Sequence, residues 1–104
     1  MAKILITPKD SENYSKHIAD LAKIIIDNAE KGAYHYDVCH EVGGDIGFII
    51  PLCNLGYTFP EKYEEWSPIN GDLRRAIESY LYEIKGEKIE ASAWVYEDVM
   101  IVDY

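Results

Sequence analysis

The sequence predicts a single α+β domain over residues 1–104, with a mainly antiparallel sheet packed by two main helices and one short helix. The length of 104 residues fits one domain with its own hydrophobic core. Two segments have the apolar spacing of helices, and two others alternate apolar and polar residues around turn residues, as hairpins do. Because hairpins pair their strands antiparallel, we expect the helices to cover one face of the sheet.

The N-terminal segment predicts a strand followed by a long helix. Residues 2–6 form a short apolar strand that ends at Thr7 and Pro8, a pair typical of a helix start. Apolar residues at helical spacing follow, and Gly32 stands where a left-handed residue would end the helix. We expect the first helix at residues 8–31.

The middle of the chain predicts a hairpin. Residues 34–42 alternate in polarity, Gly43 and Gly44 suit a tight turn, and residues 46–50 form the return strand before Pro51. The two strands should therefore pair antiparallel.

Residues 51–71 carry three prolines and several aromatic side chains, too many for an unstructured loop. Helical spacing predicts a short helix with one aromatic face and one acidic face. Those faces consist of Phe59, Tyr63 and Trp66, and of Glu61, Glu64 and Glu65. A separate helix should then begin at an Asn70 cap and end at Gly86.

The C-terminal segment predicts a second hairpin, with strands at residues 89–96 and 99–102 and a turn at Glu97 and Asp98. We expect its last strand inside the sheet. Trp94 and Tyr96 alternate with small apolar residues, so one sheet face presents aromatic side chains. Two alternatives stay open: the helices cover either the aromatic face or the alanine face.

The charge of the chain argues against direct binding of nucleic acid. Nineteen acidic and ten basic residues give a net charge of −9, which opposes the phosphate contacts that dominate such binding. A basic protein partner, or simple solubility, explains this charge better. Neither a signal-peptide apolar core nor a membrane-spanning run is visible, and the two cysteines are too few for a disulfide framework. We expect a cytoplasmic protein.

The sequence shows no catalytic motif, so we expect a binding protein without a cofactor rather than an enzyme. One alternative is a metal-stabilised or metal-dependent protein that uses His35 and Cys39. His40 and Cys53 are further potential ligands, but His40 should face away from His35 and Cys39 in a strand. No Cys-x-x-Cys pair is present.

The leading interpretation is a small acidic inhibitor of a basic, nucleic-acid-handling protein such as a nuclease. Size, acidity and tyrosine content are general features of phage anti-defence proteins and of cytosolic immunity proteins, and carboxylates can mimic phosphates. Aromatic rings would supply affinity, and carboxylates would guide association. A homodimer or oligomeric subunit that pairs through strand edges is another alternative. The predicted partner-binding residues are Phe59, Glu61, Tyr63, Glu64, Glu65, Trp66, Trp94, Tyr96, Glu97 and Asp98.

Overall fold

A computed structural model describes residues 4–9, 12–39, 43–61, 63–96 and 99–104. Within these residues the chain forms two α-helices, α1 (Tyr14–Glu30) and α2 (Tyr63–Lys85). The same residues form six strands: β1 (Ile4–Leu5), β2 (Tyr36–Cys39), β3 (Asp45–Pro51), β4 (Tyr57–Thr58), β5 (Ser92–Tyr96) and β6 (Val99–Asp103). A 3-10 turn, Leu52–Asn54, joins β3 to β4. The predicted α+β class is confirmed.

The main sheet is antiparallel, with the strand order β2-β3-β6-β5. Phe48 of β3 lies opposite both Tyr36 of β2 and Val102 of β6, and Val102 lies opposite Ala93 of β5. Both predicted hairpins are therefore confirmed. The predicted interior position of the last strand is confirmed too, because β6 pairs with strands on both sides.

The two helices lie parallel to each other on one face of this sheet. The Tyr14 hydroxyl, in the first turn of α1, donates a hydrogen bond of 2.6 Å to Asp72 in the third turn of α2. Near their last turns the Lys85 ammonium lies 2.6 Å from the Glu30 carboxylate. The helices bury an apolar core against the sheet face that carries Ile50, Ala91, Ala93, Val95, Met100 and Val102. Burial of these side chains is the main favourable contribution to folding.

The first helix begins later than predicted, at Tyr14 instead of residue 8. The Thr7 hydroxyl does accept a hydrogen bond of 3.3 Å from the Lys9 amide, but this bond closes only a local turn. Ile18 is the first side chain of the helix to be buried, and a helical turn without apolar packing does not offset its entropic cost. The predicted end at Gly32 is confirmed: its φ is 77°, and the Ala33 amide donates to the Asn28 carbonyl at 2.9 Å, as in a Schellman cap.

The predicted short helix and the helix after Asn70 are wrong as separate elements, because α2 runs without a break from Tyr63 through Pro68 to Lys85. Proline removes one backbone donor, which leaves the Glu64 carbonyl without its helical partner in the exposed first turn. The apolar stripe continues across this position, since Trp66 before it packs against the core and Ile69 and Leu73 after it are fully buried. Packing of this stripe holds the two segments in one helix.

The N-terminal strand also differs from its predicted place. Within the described residues, β1 pairs in parallel with β4 in a separate two-stranded sheet, with Ile4 opposite Tyr57. Residues 2 and 3 of the predicted strand lie outside the described part of the chain. The sequence did not predict β4, because a two-residue strand carries too little pattern to detect.

The outer edge of β5 is occupied by side chains of α2. The Asn70 side-chain oxygen accepts a 3.2 Å hydrogen bond from the Val95 amide, and the Glu78 carboxylate accepts one of 3.0 Å from the Ala91 amide. Asn70 is therefore not the helix cap that the sequence predicted. Its side chain ties the helix to the edge of the sheet and fixes α2 antiparallel to β5.

Candidate protein-binding surface

The sheet has one face that the helices leave uncovered. Ala93 and Val95 are only 7% and 5% exposed and pack into the core beneath the helices. Because successive side chains of a strand point to opposite faces, Trp94 and Tyr96 lie on the other side. Both are partly exposed, so of the two alternatives the helices cover the alanine face. We call the uncovered surface the open face; its residues are Ile49, Trp94, Tyr96, Val99 and Ile101.

The centre of the open face is apolar and well packed. Ile101 is fully buried although no helix covers this side, and the register places it between Trp94 and Ile49. The indole Nε1 of Trp94 is also buried and has no hydrogen-bond acceptor among the described residues. The exposed part of the Trp94 ring is therefore hydrocarbon. Such a surface favours contact with an apolar part of another molecule.

A second part of the predicted surface lies beside the small parallel sheet. Phe59 and Glu61 line a groove together with Leu5 and Lys9. Phe59 packs against the core and is partly buried, whereas Leu5 is 50% exposed. The groove therefore combines an apolar wall with side chains of both charges.

The first turn of α2 carries the acidic part of the predicted surface. The Glu64 side chain is exposed, and Trp66 is partly buried against the core. A carboxylate here also interacts favourably with the positive end of the helix dipole, so Glu64 has a structural effect besides any role in binding. Tyr63 and Glu65 belong to α2, but their side chains lie outside the described part of the structure.

These parts share one end of the domain but lie in different layers. Since α2 runs antiparallel to β5 and Asn70 contacts Val95, the first turn of α2 extends past Val95 towards the end of β5 at Tyr96. Trp66 packs on the core side of the sheet, whereas Trp94 lies on the open face. The structure thus does not bring the two tryptophans onto one flat surface. Glu97 and Asp98 lie outside the described residues.

Sequence reasoning missed the residues that complete the open face and the groove. Ile49, Val99 and Ile101 belong to the open face through the register of β3 and β6 with β5. Once Trp94 is assigned to the open side, the register of the second hairpin identifies Val99 and Ile101. Ile49 requires the pairing of β3 with β6, which the sequence did not predict. Leu5 could not have been found in this way, since it reaches the groove only through the pairing of β1 with β4.

Among the described residues, those of the alternative metal site do not form a cluster of ligands. His35 is exposed and precedes β2, and Cys39 is the last residue of that strand. No group of three histidine, cysteine, aspartate or glutamate side chains that could hold a metal ion occurs in the described part of the chain. His40 and the side chains of Cys39 and Cys53 lie outside that part.

Neither helix, over the residues that the structure describes, is long and apolar enough to cross a membrane. Comparison of the chain with protein-family models, curated proteins and solved structures finds no match.

Proposed function

We propose that this chain is a small acidic protein that binds and inhibits a basic protein partner, one that itself handles nucleic acid. The observation that carries the proposal is the open face, where Trp94 and Tyr96 are partly exposed on a rigid sheet without a covering helix. Partly exposed aromatic rings on a rigid element lose little conformational entropy on binding, and such rings supply much of the affinity at protein interfaces.

The charge of the chain supports a basic partner. A net charge of −9 repels other acidic surfaces and attracts basic ones over distances near the Debye length. Glu61 and Glu64 are exposed at the same end of the domain as Tyr96, so they are placed to orient an approaching cation-rich surface. Proteins that bind nucleic acid present such surfaces, because they must contact phosphates.

The proposal divides binding into two contributions that can be measured separately. The carboxylates should mainly raise the association rate, because long-range attraction acts before contact. The aromatic side chains should mainly lower the dissociation rate, because their burial occurs only in the complex. A partner blocked in this way would lose access to its nucleic acid.

The test begins with a partner captured on the immobilised protein from a host lysate and identified by mass spectrometry. Surface plasmon resonance then compares Glu61→Lys/Glu64→Lys with the matched control Glu83→Lys/Glu87→Lys, which changes exposed residues at the other end of α2. Each pair replaces two negative charges by two positive ones and changes the net charge from −9 to −5. We expect the first pair to slow association about tenfold at low salt, and the control pair to slow it much less.

Tyr96→Ala should leave association nearly unchanged and speed dissociation about tenfold, a typical effect for an interface aromatic residue. Circular dichroism confirms that each variant is folded before any loss is assigned to binding. Equal effects of the two charge-reversal pairs, together with unchanged dissociation of Tyr96→Ala, would show that this end of the domain is not the binding surface.

A further inference from the structure

The register of the main sheet shows which backbone amides and carbonyls of the β2 edge point away from the sheet. In an antiparallel sheet the amide and carbonyl of one residue point to one neighbour, and those of the next residue point to the other neighbour. The Val95 amide points outwards, to Asn70. Trp94 therefore bonds to Ile101 of β6, and Met100 of β6 bonds to Ile50 of β3. By the same alternation Gly47 of β3 bonds to Asp37 of β2. It follows that Tyr36 and Val38 direct their amides and carbonyls out of the β2 edge.

A direct hydrogen bond agrees with this result. The Val38 amide donates to the carboxylate of Asp37 at 2.7 Å, which is an interaction on the exposed side of the strand and not with β3. The two edges of the sheet therefore differ. The β5 edge is occupied by Asn70 and Glu78 of α2, whereas at the β2 edge the described residues show the neighbouring Asp37 side chain as the acceptor of the Val38 amide.

The side chains beside the β2 edge form an exposed apolar platform. Tyr36, Val38 and Ile46 are 47%, 39% and 55% exposed, and the register places all three on the face that the helices cover further along the sheet. The hairpin extends beyond the end of β6, since Phe48 is the first residue of β3 paired with that strand. An added strand at this edge would bury these side chains, which a monomer leaves in water.

The negative charge on the other face of β2 favours an added strand that carries a positive charge. Asp37 is exposed at this edge, and the Tyr36 side chain extends from it to donate a hydrogen bond to a second carboxylate, that of Asp103 on β6. Opposite charges across neighbouring strands stabilise a sheet, and like charges destabilise it. Two copies of this chain paired about Asp37 would place two carboxylates opposite each other, and each copy carries a net charge of −9.

We infer that the β2 edge accepts an extended segment of a partner protein, in which a basic residue lies opposite Asp37 and an apolar residue lies on each side of it. The segment adds as a fifth strand whose backbone bonds to Tyr36 and Val38. A carbonyl of the segment replaces the Asp37 carboxylate as the acceptor of the Val38 amide, and the released carboxylate pairs with the basic side chain. The apolar side chains of the segment cover Val38 and Ile46. Recognition by strand addition gives affinity through the backbone and selectivity through alternate side chains. Because the pattern is symmetric about the basic residue, either strand direction satisfies it.

This edge is independent of the surface proposed above. Trp94 and Tyr96, which carry the proposed function, lie on β5, three strand spacings or about 14 Å from β2. The residues of the β2 edge are not among those of the open face, although the register directs Asp37 to the same side of the sheet. The two sites can therefore fail separately, although one basic partner could contact both.

The direct test uses a short capped peptide in which lysine alternates with valine. In ¹⁵N-labelled protein we expect this peptide to slow hydrogen exchange of the Tyr36 and Val38 amides at least about tenfold. The Asp37 amide, which points to β3, serves as an internal reference and should change little. Two control peptides should not protect these amides: one has glutamate in place of lysine, and the other is N-methylated at alternate backbone nitrogens.

Two variants assign any binding to the edge. Asp37→Lys should weaken binding of the lysine peptide about tenfold, whereas Glu83→Lys, which makes the same change in net charge at an exposed position elsewhere, should not. Val38→Pro removes the outward donor but no bond to β3, and proline is tolerated at such an edge; it should abolish binding. Circular dichroism and thermal melting confirm that both edge variants fold.

Several results would overturn the inference. Equal protection by the N-methylated peptide would show that backbone pairing is not involved. Equal weakening by Asp37→Lys and Glu83→Lys would show that only net charge attracts the peptide. A homodimer in sedimentation experiments that Val38→Pro converts to a monomer would show that the edge serves a second copy of this chain instead of a basic partner segment.

Discussion

The hydrogen bond between the Asn70 side chain and the Val95 amide determines whether the β5 edge is closed, and replacing Asn70 tests this directly. In Asn70→Ala the Val95 amide loses its acceptor, which lies 3.2 Å away in the folded protein. In Asn70→Asp an oxygen stays in the same position, so this variant is the matched control. The expected difference between the two variants is therefore the contribution of one edge hydrogen bond.

The magnitude follows from two opposing effects. Loss of an acceptor for a part-buried amide costs about 1.5 kcal/mol. Alanine is a better helix former than asparagine, which returns about 0.6 kcal/mol in the middle of α2. The free energy of unfolding of Asn70→Ala should therefore fall by about 1 kcal/mol, which for a domain of this size lowers the melting temperature by about 5 °C. Asn70→Asp should stay within about 0.5 kcal/mol of the parent protein.

Native-state hydrogen exchange locates the effect. The Val95 amide should exchange about tenfold faster in Asn70→Ala. The Trp94 and Tyr96 amides point to β6 and should keep their protection. Unchanged protection of Val95 in Asn70→Ala would refute the reasoning, because the edge amide would then have another acceptor. A loss of protection spread over all of β5 would also refute it, because the effect would then be general destabilisation.

Two further predictions concern stability. The hydrogen bond to Asp103 raises the pKa of Tyr36 from 10.0 to about 12, and burial, followed by the hydrogen bond to Asp72, raises the pKa of Tyr14. Between pH 10 and 12 the folded protein keeps these hydroxyl protons, whereas the unfolded chain releases them, so the free energy of unfolding should fall as the pH rises through this range. Urea titrations should show a smaller fall for Tyr36→Phe than for the parent protein. An identical fall would contradict the assignment to Tyr36. Gly47→Ala should lower the free energy of unfolding by about 1–3 kcal/mol. A Cβ at this position would lie 2.9 Å from the Val102 carbonyl oxygen and 3.0 Å from a methyl carbon of Ile101. An unchanged midpoint of urea unfolding would show that the sheet accommodates the methyl group without cost.

The features that the sequence predicted correctly depend on a few neighbouring residues. Gly32 ends α1 because its positive φ is a local requirement of the helix cap. Gly44 has a φ of 78° between the paired strands of the first hairpin, again as its local sequence indicates. The alternation in residues 92–96 predicted a strand with two unlike faces, and this too is a local property.

The candidate surface could be predicted only in part for the same reason. Alternation placed Trp94 and Tyr96 on one face, but it could not tell whether that face is open. Phe59 and Trp66 were grouped with them by aromatic character, whereas the structure packs both against the core on the other side of the sheet. Residue type alone does not show on which side of the sheet a side chain lies.

The sequence by itself determined the class of fold, the two hairpins, the C-terminal ends of the helices at Gly32 and Gly86, and the acidic charge. Composition gives the charge, and residues adjacent in the chain give the turns, the helix ends and the alternation of the strands. Tertiary structure alone decided the continuity of α2 through Pro68, the pairing of β1 with β4, and which sheet face the helices cover. Each of these depends on contacts between residues far apart in the chain, where the apolar area buried outweighs a weak local preference. The difference between the two sheet edges has the same origin, because Asn70 and Glu78 reach β5 only after α2 has packed beside it.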